Sequence, residues 1–321
     1  MLDDDAKRWL TALLGPAVTF DEPMARHTTF KIGGPADALA QPQNASQLRQ
    51  LIQWTGQNSI PYLVLGGGSN LLVRDGGIRG VVICLGAMAG DVRWRRSPPQ
   101  VFVTAGAGVP TKRLCGLALK QGWDGMNFAL GIPGTVGGAV LMNAGTAQGS
   151  MADALSAVTV MTVSGKTERI ARDQLQVQYR GLQWPPHMQN ALGGTIVMAA
   201  EFRLTMGDRD LVRRQARRLM RDRVRKQPSW RPSAGCFFKN PSPQMPAGRL
   251  IDEAGLKGLG VGRAQVSQRH ANFIVNRGGA SAGDVIDLVE QIRKKVNATF
   301  GIKLEPEVRI VGEETGKKES L

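Results

Sequence analysis

Apolar residues recur at helical spacing along Met1–Leu14, Ala45–Gln57, Pro110–Gln121, Gly248–Ala254 and Ala282–Phe300, and these stretches are expected to be helices. Short runs rich in Val, Ile and Leu are expected to be strands at Asp37–Leu39, Tyr62–Leu65, Val81–Leu85, Gln100–Ala105, Thr195–Leu204 and Ala271–Val275. Leu155–Thr162 and Lys166–Ile170 should form a hairpin across Ser164 and Gly165. The last strand is expected over Lys303–Val311, followed by a mobile charged tail at Glu313–Leu321. Pro110 suits the first turn of its helix. Gly181–Gly194, with Pro185 beside Pro186, reads as irregular.

Two glycine-dense segments interrupt this pattern. GGGSN (Gly66–Asn70) and GIPGTVGGAVLMNAG (Gly131–Gly145) each follow an apolar run. Glycine is useful where φ is positive or where something presses on the main chain, and successive bare N–H groups make anion-binding nests. Backbone from two loops is therefore expected to hold a phosphate-bearing cofactor. No GKS or GKT follows either cluster, and neither fits GxGxxG opening a helix, so the mononucleotide and dinucleotide fingerprints are absent.

Composition narrows the class. The chain has 321 residues, 42% hydrophobic and 21% charged, enough for two or three domains without covalent staples. The formal net charge is +15. Much of it lies between Arg213 and Arg231, where Val212, Ala216, Leu219, Met220 and Val224 give an amphipathic helix with a solvated arginine face. A basic nucleic-acid-binding protein would explain that charge, but only 5% of residues are aromatic, too few for stacking platforms. Such a field would also steer anionic small molecules. Three cysteines without CxxC spacing and three histidines give no metal site, and an odd thiol count suggests a reducing compartment. The acidic amphipathic start is not expected to be a signal peptide, and no apolar run approaches a membrane span.

Pro61–Ile83 followed by Asn127–Gly145 resembles the flavin domain of the UDP-N-acetylenolpyruvoylglucosamine reductase family, a group of vanillyl-alcohol-oxidase-like flavoproteins. HTTFKIGGPAD (His27–Asp37), SAGCFFKNP (Ser233–Pro241), HANFIVN (His270–Asn276) and LEPEVRIVG (Leu304–Gly312) match the same family in the same order. The resemblance implies an α+β fold: FAD-binding subdomains at 1–85 and 86–205, a substrate-binding domain at 206–303, and a catalytic strand and tail at 304–321. It implies non-covalent FAD, NADPH as hydride donor, and reduction of UDP-N-acetylglucosamine enolpyruvate to UDP-N-acetylmuramate for peptidoglycan synthesis. A cytoplasmic monomer with no nucleic-acid or membrane partner is expected. Another flavin oxidoreductase of the same fold is the alternative; it would share the glycine loops without needing SAGCFFKNP and LEPEVR together.

Residue by residue, the resemblance makes Arg180, Cys236 and Glu307 catalytic. Arg180 would hold the substrate carboxylate with its two-pronged guanidinium, although Leu182 stands where the family usually has serine. Cys236 takes the place of the family's proton-donating serine, and a thiol is the more acidic group. Glu305 and Glu307 would alternate on the last strand, Glu307 assisting as the carboxylate becomes enolate-like. Cys84 and Cys115 are expected to be buried bystanders. Cofactor contacts are expected from Gly66, Gly67, Gly68, Ser69, Asn70, Thr135, Gly137, Gly138, Asn143, Arg223 and Arg309. Substrate contacts are expected from Tyr179, Lys226, Asn240 and His270, the last a glutamine in other members. The short Gly181–Gly194 connection implies the subtype without a long tyrosine-bearing lid.

Overall fold

The computed structural model describes residues 2–88, 90–185, 194–228 and 230–315. The chain divides into two compact units, Met1–Thr19 with Ala38–Gly67 and Gly80–Arg223, and Phe20–Asp37 with Gly68–Arg79 and Val224–Leu321.

The first unit begins with the helix Asp4–Leu14, where the Asp3 carboxylate accepts from the Ala6 N–H. Trp9 on this helix stacks on Trp54 of the helix Ala45–Gln57 at 4.2 Å. Tyr62–Leu65 pairs in parallel with Ile78–Cys84, Tyr62 opposite Val81 and Leu65 opposite Cys84. A larger antiparallel sheet has the order Thr167–Ala171, Leu155–Met161, Ile196–Met206, Gln100–Gly106 and Arg93–Ser97. Val101, Val103, Val158, Val160 and Phe202 are fully buried on it, and burial at about 25 cal/mol per Å² of apolar surface is what holds such a sheet to its helices. The expected hairpin forms, Ala157 opposite Ala171 and Met161 opposite Thr167. Pro110 is the cap residue before the helix Thr111–Gln121, one position earlier than expected, and Gly122 ends that helix at φ 74°.

The basic helix runs Arg209–Lys226. Val212 and Ala216 are buried, but Val224 is 50% exposed, against expectation. At 100° per residue, twelve positions carry Val224 about 120° away from Val212 around the axis.

The second unit packs the helix Ala282–Phe300 against a sheet of order Ser233–Cys236, Phe273–Asn276, Ala264–Val266 and Gly260–Val261. Phe30, Phe237, Phe238, Ile251, Val285 and Ile292 lie in its core. Ser281 and Asp284 form a capping box at the helix start, and the Asp75 carboxylate accepts the next two N–H groups, from Ala282 at 2.9 Å and Gly283 at 3.0 Å. Arg309–Val311 pairs in parallel with Leu71–Val73. That strand is shorter than expected and excludes Glu305 and Glu307. Pro306 lacks an N–H to give a ladder, and makes only an isolated bridge with Phe238. The tail is not mobile at its start: Gly76 N–H donates to the Glu313 carbonyl at 3.0 Å, and Glu314 pairs with Arg74. Residues 316–321 lie outside the described residues.

Candidate functional site

In the first unit the two glycine segments abut. A Cβ on Gly66 would stand 2.7 Å from Thr135 Oγ1, and one on Gly67 would stand 2.5 Å from Gly134 Cα. Both distances exclude a side chain, so bare main chain from the two segments forms one surface. Arg223 reaches the same place: its Nη1 donates to the Leu130 carbonyl at 2.9 Å, and its Cδ lies 2.9 Å from where a Cβ of Gly131 would be. Main chain cleared of side chains beside a guanidinium suits the phosphates of an extended cofactor. These residues therefore fit FAD.

The second segment is not the open nest that its glycines suggest. Thr135 precedes a short helix, Val136–Leu141. Val136 N–H donates to the Val109 carbonyl and Gly137 N–H to the Ala107 carbonyl, each at 2.9 Å. A Cβ on Gly137 would meet Ala107 Cβ at 2.7 Å. Gly137 therefore serves close packing, with its N–H turned to protein. Gly138 has room, with Thr135 Oγ1 3.7 Å from a Cβ position. Asn143, expected at the cofactor, is 6% exposed and engages protein with its whole side-chain amide. Its Nδ2 donates to the Gln178 carbonyl at 3.2 Å and its Oδ1 accepts from Ala152 N–H at 3.0 Å.

Arg180 sits at the tip of a small hairpin, Gln176–Gln178 against Gly181–Gln183, within which Gln178 faces Gly181. The segment expected to be irregular thus begins as a strand. Arg180 has φ 61°, in the left-handed region, where a non-glycine residue costs about 1–2 kcal/mol. Its guanidinium donates from Nη1 to the Gly145 carbonyl at 3.2 Å and lies 5.1 Å over the Tyr179 ring. Tyr179 itself is 56% exposed. The remainder of the Gly181–Gly194 connection, residues 186–193 with His187, lies outside the described residues.

In the second unit Cys236 and Glu307 are neighbours through the backbone. Cys236 pairs with Phe273 across a register shift after Ser233, and Gly235 takes φ 82° there. Such a bulge re-aims the side chain that follows it. Glu307 N–H donates to the Phe237 carbonyl at 2.7 Å, and Lys239 N–H donates to the Glu305 carbonyl at 2.9 Å. Asn272 locks the other side of this segment: its Oδ1 accepts from Phe238 N–H at 2.9 Å, and its Nδ2 donates to the Phe238 carbonyl at 2.8 Å. Asn272 is 3% exposed. It was legible only as a polar residue inside the apolar run HANFIVN. Cys236 and Glu307 are both partly exposed. Burial pushes the Cys84 and Cys115 thiols up to about 12. Cys115 is buried and Cys84 only partly so, and both thiols stay protonated and inert.

Residues placed by resemblance distribute as follows. Asn70 donates from Nδ2 to the Glu307 carbonyl at 3.0 Å, and Arg309 N–H donates to the Asn70 carbonyl at 3.1 Å. A Cβ on Gly68 would stand 2.1 Å from the His27 carbonyl, and Gly68 has φ 59°, so glycine is obligatory there. Ser69 lies between these two, partly exposed. Lys226 is exposed at the end of the basic helix. Asn240 Oδ1 accepts from Ala247 N–H at 3.0 Å and so caps the helix Ala247–Glu253. His270 lies edge-on to Phe273 at 4.9 Å, and burial first, then the Lys257 charge, hold its pKa below the usual value.

A glycine-built cofactor cradle in one unit, and in the other a thiol whose next residue is bonded through its carbonyl to the Glu307 N–H, are the parts of a flavin-dependent oxidoreductase. Residues 36–171 match the FAD binding domain family, and residues 227–311 match the C-terminal domain of UDP-N-acetylenolpyruvoylglucosamine reductase. The UDP-N-acetylenolpyruvoylglucosamine reductase of Desulfosudis oleivorans is 45% identical over 97% of this chain and 100% of its own length. That of Syntrophus aciditrophicus is 42% identical over 96% of each chain. Among solved structures, the same reductase from Thermus caldophilus superposes with a TM-score of 0.75 at 37% identity, covering 91% of this chain and 97% of its own. The chain belongs to the UDP-N-acetylenolpyruvoylglucosamine reductase family.

Proposed function

We propose that this chain reduces UDP-N-acetylglucosamine enolpyruvate to UDP-N-acetylmuramate, with NADPH as donor, in peptidoglycan biosynthesis. FAD held in that cradle would supply the two-electron chemistry that links NADPH oxidation to hydride addition at the methylene carbon of the enolpyruvyl group. The chain's own residues handle the charge and the proton. Arg180 binds the substrate carboxylate as negative charge spreads into it. Glu307 hydrogen-bonds that carboxylate as it becomes enolate-like. The Cys236 thiol gives its proton to the carbon next to the carboxylate, and solvent returns one to sulfur. One hydride and one proton thus convert the double bond to a single bond, and NADPH becomes NADP⁺. Gly66, Gly67, Gly68, Ser69, Asn70, Thr135, Gly138, Arg223 and Arg309 are proposed to line the FAD site. Tyr179, Lys226, Asn240 and His270 are proposed to meet the substrate. We assign cofactor binding to 1–85 and 86–205, substrate binding to 206–303, and the catalytic segment and tail to 304–321.

The observation that carries this reading is the 2.7 Å bond from Glu307 N–H to the carbonyl of Phe237, which sets Glu307 beside Cys236. Among the described residues no helix is long and apolar enough to cross a membrane. We propose a cytoplasmic monomer that works without nucleic acid. The test is NADPH consumption with and without the enolpyruvyl sugar nucleotide, with the product analysed by mass. Substrate-dependent consumption and a gain of two hydrogens are expected. Rapid consumption driven by oxygen alone, with no substrate reduced, would overturn the assignment.

A further inference from the structure

The Arg180 hairpin cannot hold its own position. Gln176, Val177, Gln178 and Tyr179 are all exposed, and an isolated two-stranded ribbon is marginal in water. Two bonds from one short stretch fix it, one from Asn143 Nδ2 to the Gln178 carbonyl and one from Arg180 Nη1 to the Gly145 carbonyl. Asn143 is itself anchored: its N–H donates to the Val140 carbonyl at 2.9 Å, and its Oδ1 accepts from Ala152 N–H. These partners settle the amide's orientation, because only the nitrogen can donate to Gln178. Asn143 has φ 40°, a conformation that asparagine tolerates better than most residues. The same chain segment carries Thr135, whose hydroxyl faces Gly66 in the cofactor cradle.

We propose that Asn143 is the positioning residue for Arg180, transmitting the placement of the glycine segment to the guanidinium that holds the substrate. This rests on the carboxylate-binding role proposed above for Arg180. The Asn143 amide adds a directional tie to a hairpin whose first strand is exposed, and keeps Arg180 in its strained backbone conformation against the glycine segment. Positioned groups of this kind act through geometry, where an ångström of misplacement costs about 10²-fold in rate.

The experiment is a double-mutant cycle on the FAD-loaded full chain. Asn143→Asp keeps the acceptor for Ala152 and turns the donor facing Gln178 into a second acceptor. Flavin content and bleaching by NADPH should stay within about twofold of the parent, while recolouring by substrate slows about tenfold or more and KM rises. In an Arg180→Ala background the same substitution should add less than about twofold, because a positioning residue has nothing left to position. Additive losses, or an unchanged substrate step in Asn143→Asp, would overturn the proposal. A silent Arg180→Ala would overturn the role of Arg180 instead, and the proposal with it. Asn143→Gly, which also accepts the left-handed backbone, carries the same measurements if the Asp variant does not fold.

Discussion

Asn70 and Glu307 are tied by a 3.0 Å hydrogen bond, the side-chain amide of the first donating to the carbonyl of the second. The return bond from Arg309 N–H to the Asn70 carbonyl closes a clasp between Asn70 and the Glu307–Arg309 segment. Asn70 therefore acts on the segment that carries Glu307, just before the strand Arg309–Val311, whatever it also contributes to FAD. Asn70→Ala removes the donor and leaves a carbonyl without it, at about 1–3 kcal/mol. The expected outcome is a lower urea midpoint and a slowed substrate step, with FAD still retained on gel filtration. Complete loss of FAD with an unchanged urea midpoint would mean that the amide's main partner is the cofactor.

His270 gives stability a pH dependence with a definite sign. Its folded pKa lies below the usual 6.5, because burial and then Lys257 disfavour the charged ring. Below about pH 6.5 the unfolded chain binds a proton that the folded chain resists, so stability falls as pH drops toward the folded pKa and levels off beneath it. His270→Gln should flatten this limb below about pH 6.5. Urea midpoints for both proteins at several pH values test it, and parallel curves would remove His270 as the cause.

The elements read correctly from sequence are those whose limits are set locally. Ala45–Gln57 starts after Asn44, whose side chain accepts from Gln47 N–H, and Ala282–Phe300 runs from the Ser281 box to Gly301 at φ 70°. Capping chemistry of this kind is visible in the residues themselves. The helix Val136–Leu141 was not visible, because Gly137 and Gly138 are poor helix formers. It exists through long-range bonds to Val109 and Ala107. The Arg180 hairpin escaped for the same reason, its place depending on Asn143, some 35 positions away. Glu307 was found by motif but misassigned to a strand, since Pro306 breaks the ladder beside it. The close approach of backbone that the glycine segments signalled is present between Gly67 and Gly134, while which of their N–H groups turn inward was a tertiary fact.

Gly67 tests that surface. Alanine there would place a Cβ 2.5 Å from Gly134 Cα, backbone that cannot rotate away. FAD bound only by the folded chain stabilises it by about 2.7 kcal/mol at a hundredfold excess over Kd. Thermal scans with and without added FAD should show a clear gain for the parent and little for Gly67→Ala. The released flavin of heat-denatured parent should appear in the supernatant, as expected for a non-covalent cofactor. An equal FAD-dependent gain in both proteins would place the cofactor elsewhere.

Cys236 is the sharpest test of the chemistry. The bulge at Gly235 aims it, Asn272 fixes the residues after it, and Glu307 is joined to the next carbonyl. None of these supports needs the sulfur, so changing the thiol should leave the fold intact. Loss of a well-placed acid typically lowers the rate by ~10²–10⁴. Cys236→Ser keeps a hydroxyl in the place where the family usually has one, and should retain substantial turnover. Cys236→Ala should bind FAD and be bleached by NADPH as the parent is, yet recolour with substrate at least about 10²-fold more slowly. Run in deuterium oxide, the parent should place one deuteron on the carbon beside the carboxylate within a turnover, and the Ala variant should not. Wild-type turnover by Cys236→Ala would assign the proton to water or another side chain, and the thiol would then be a bystander.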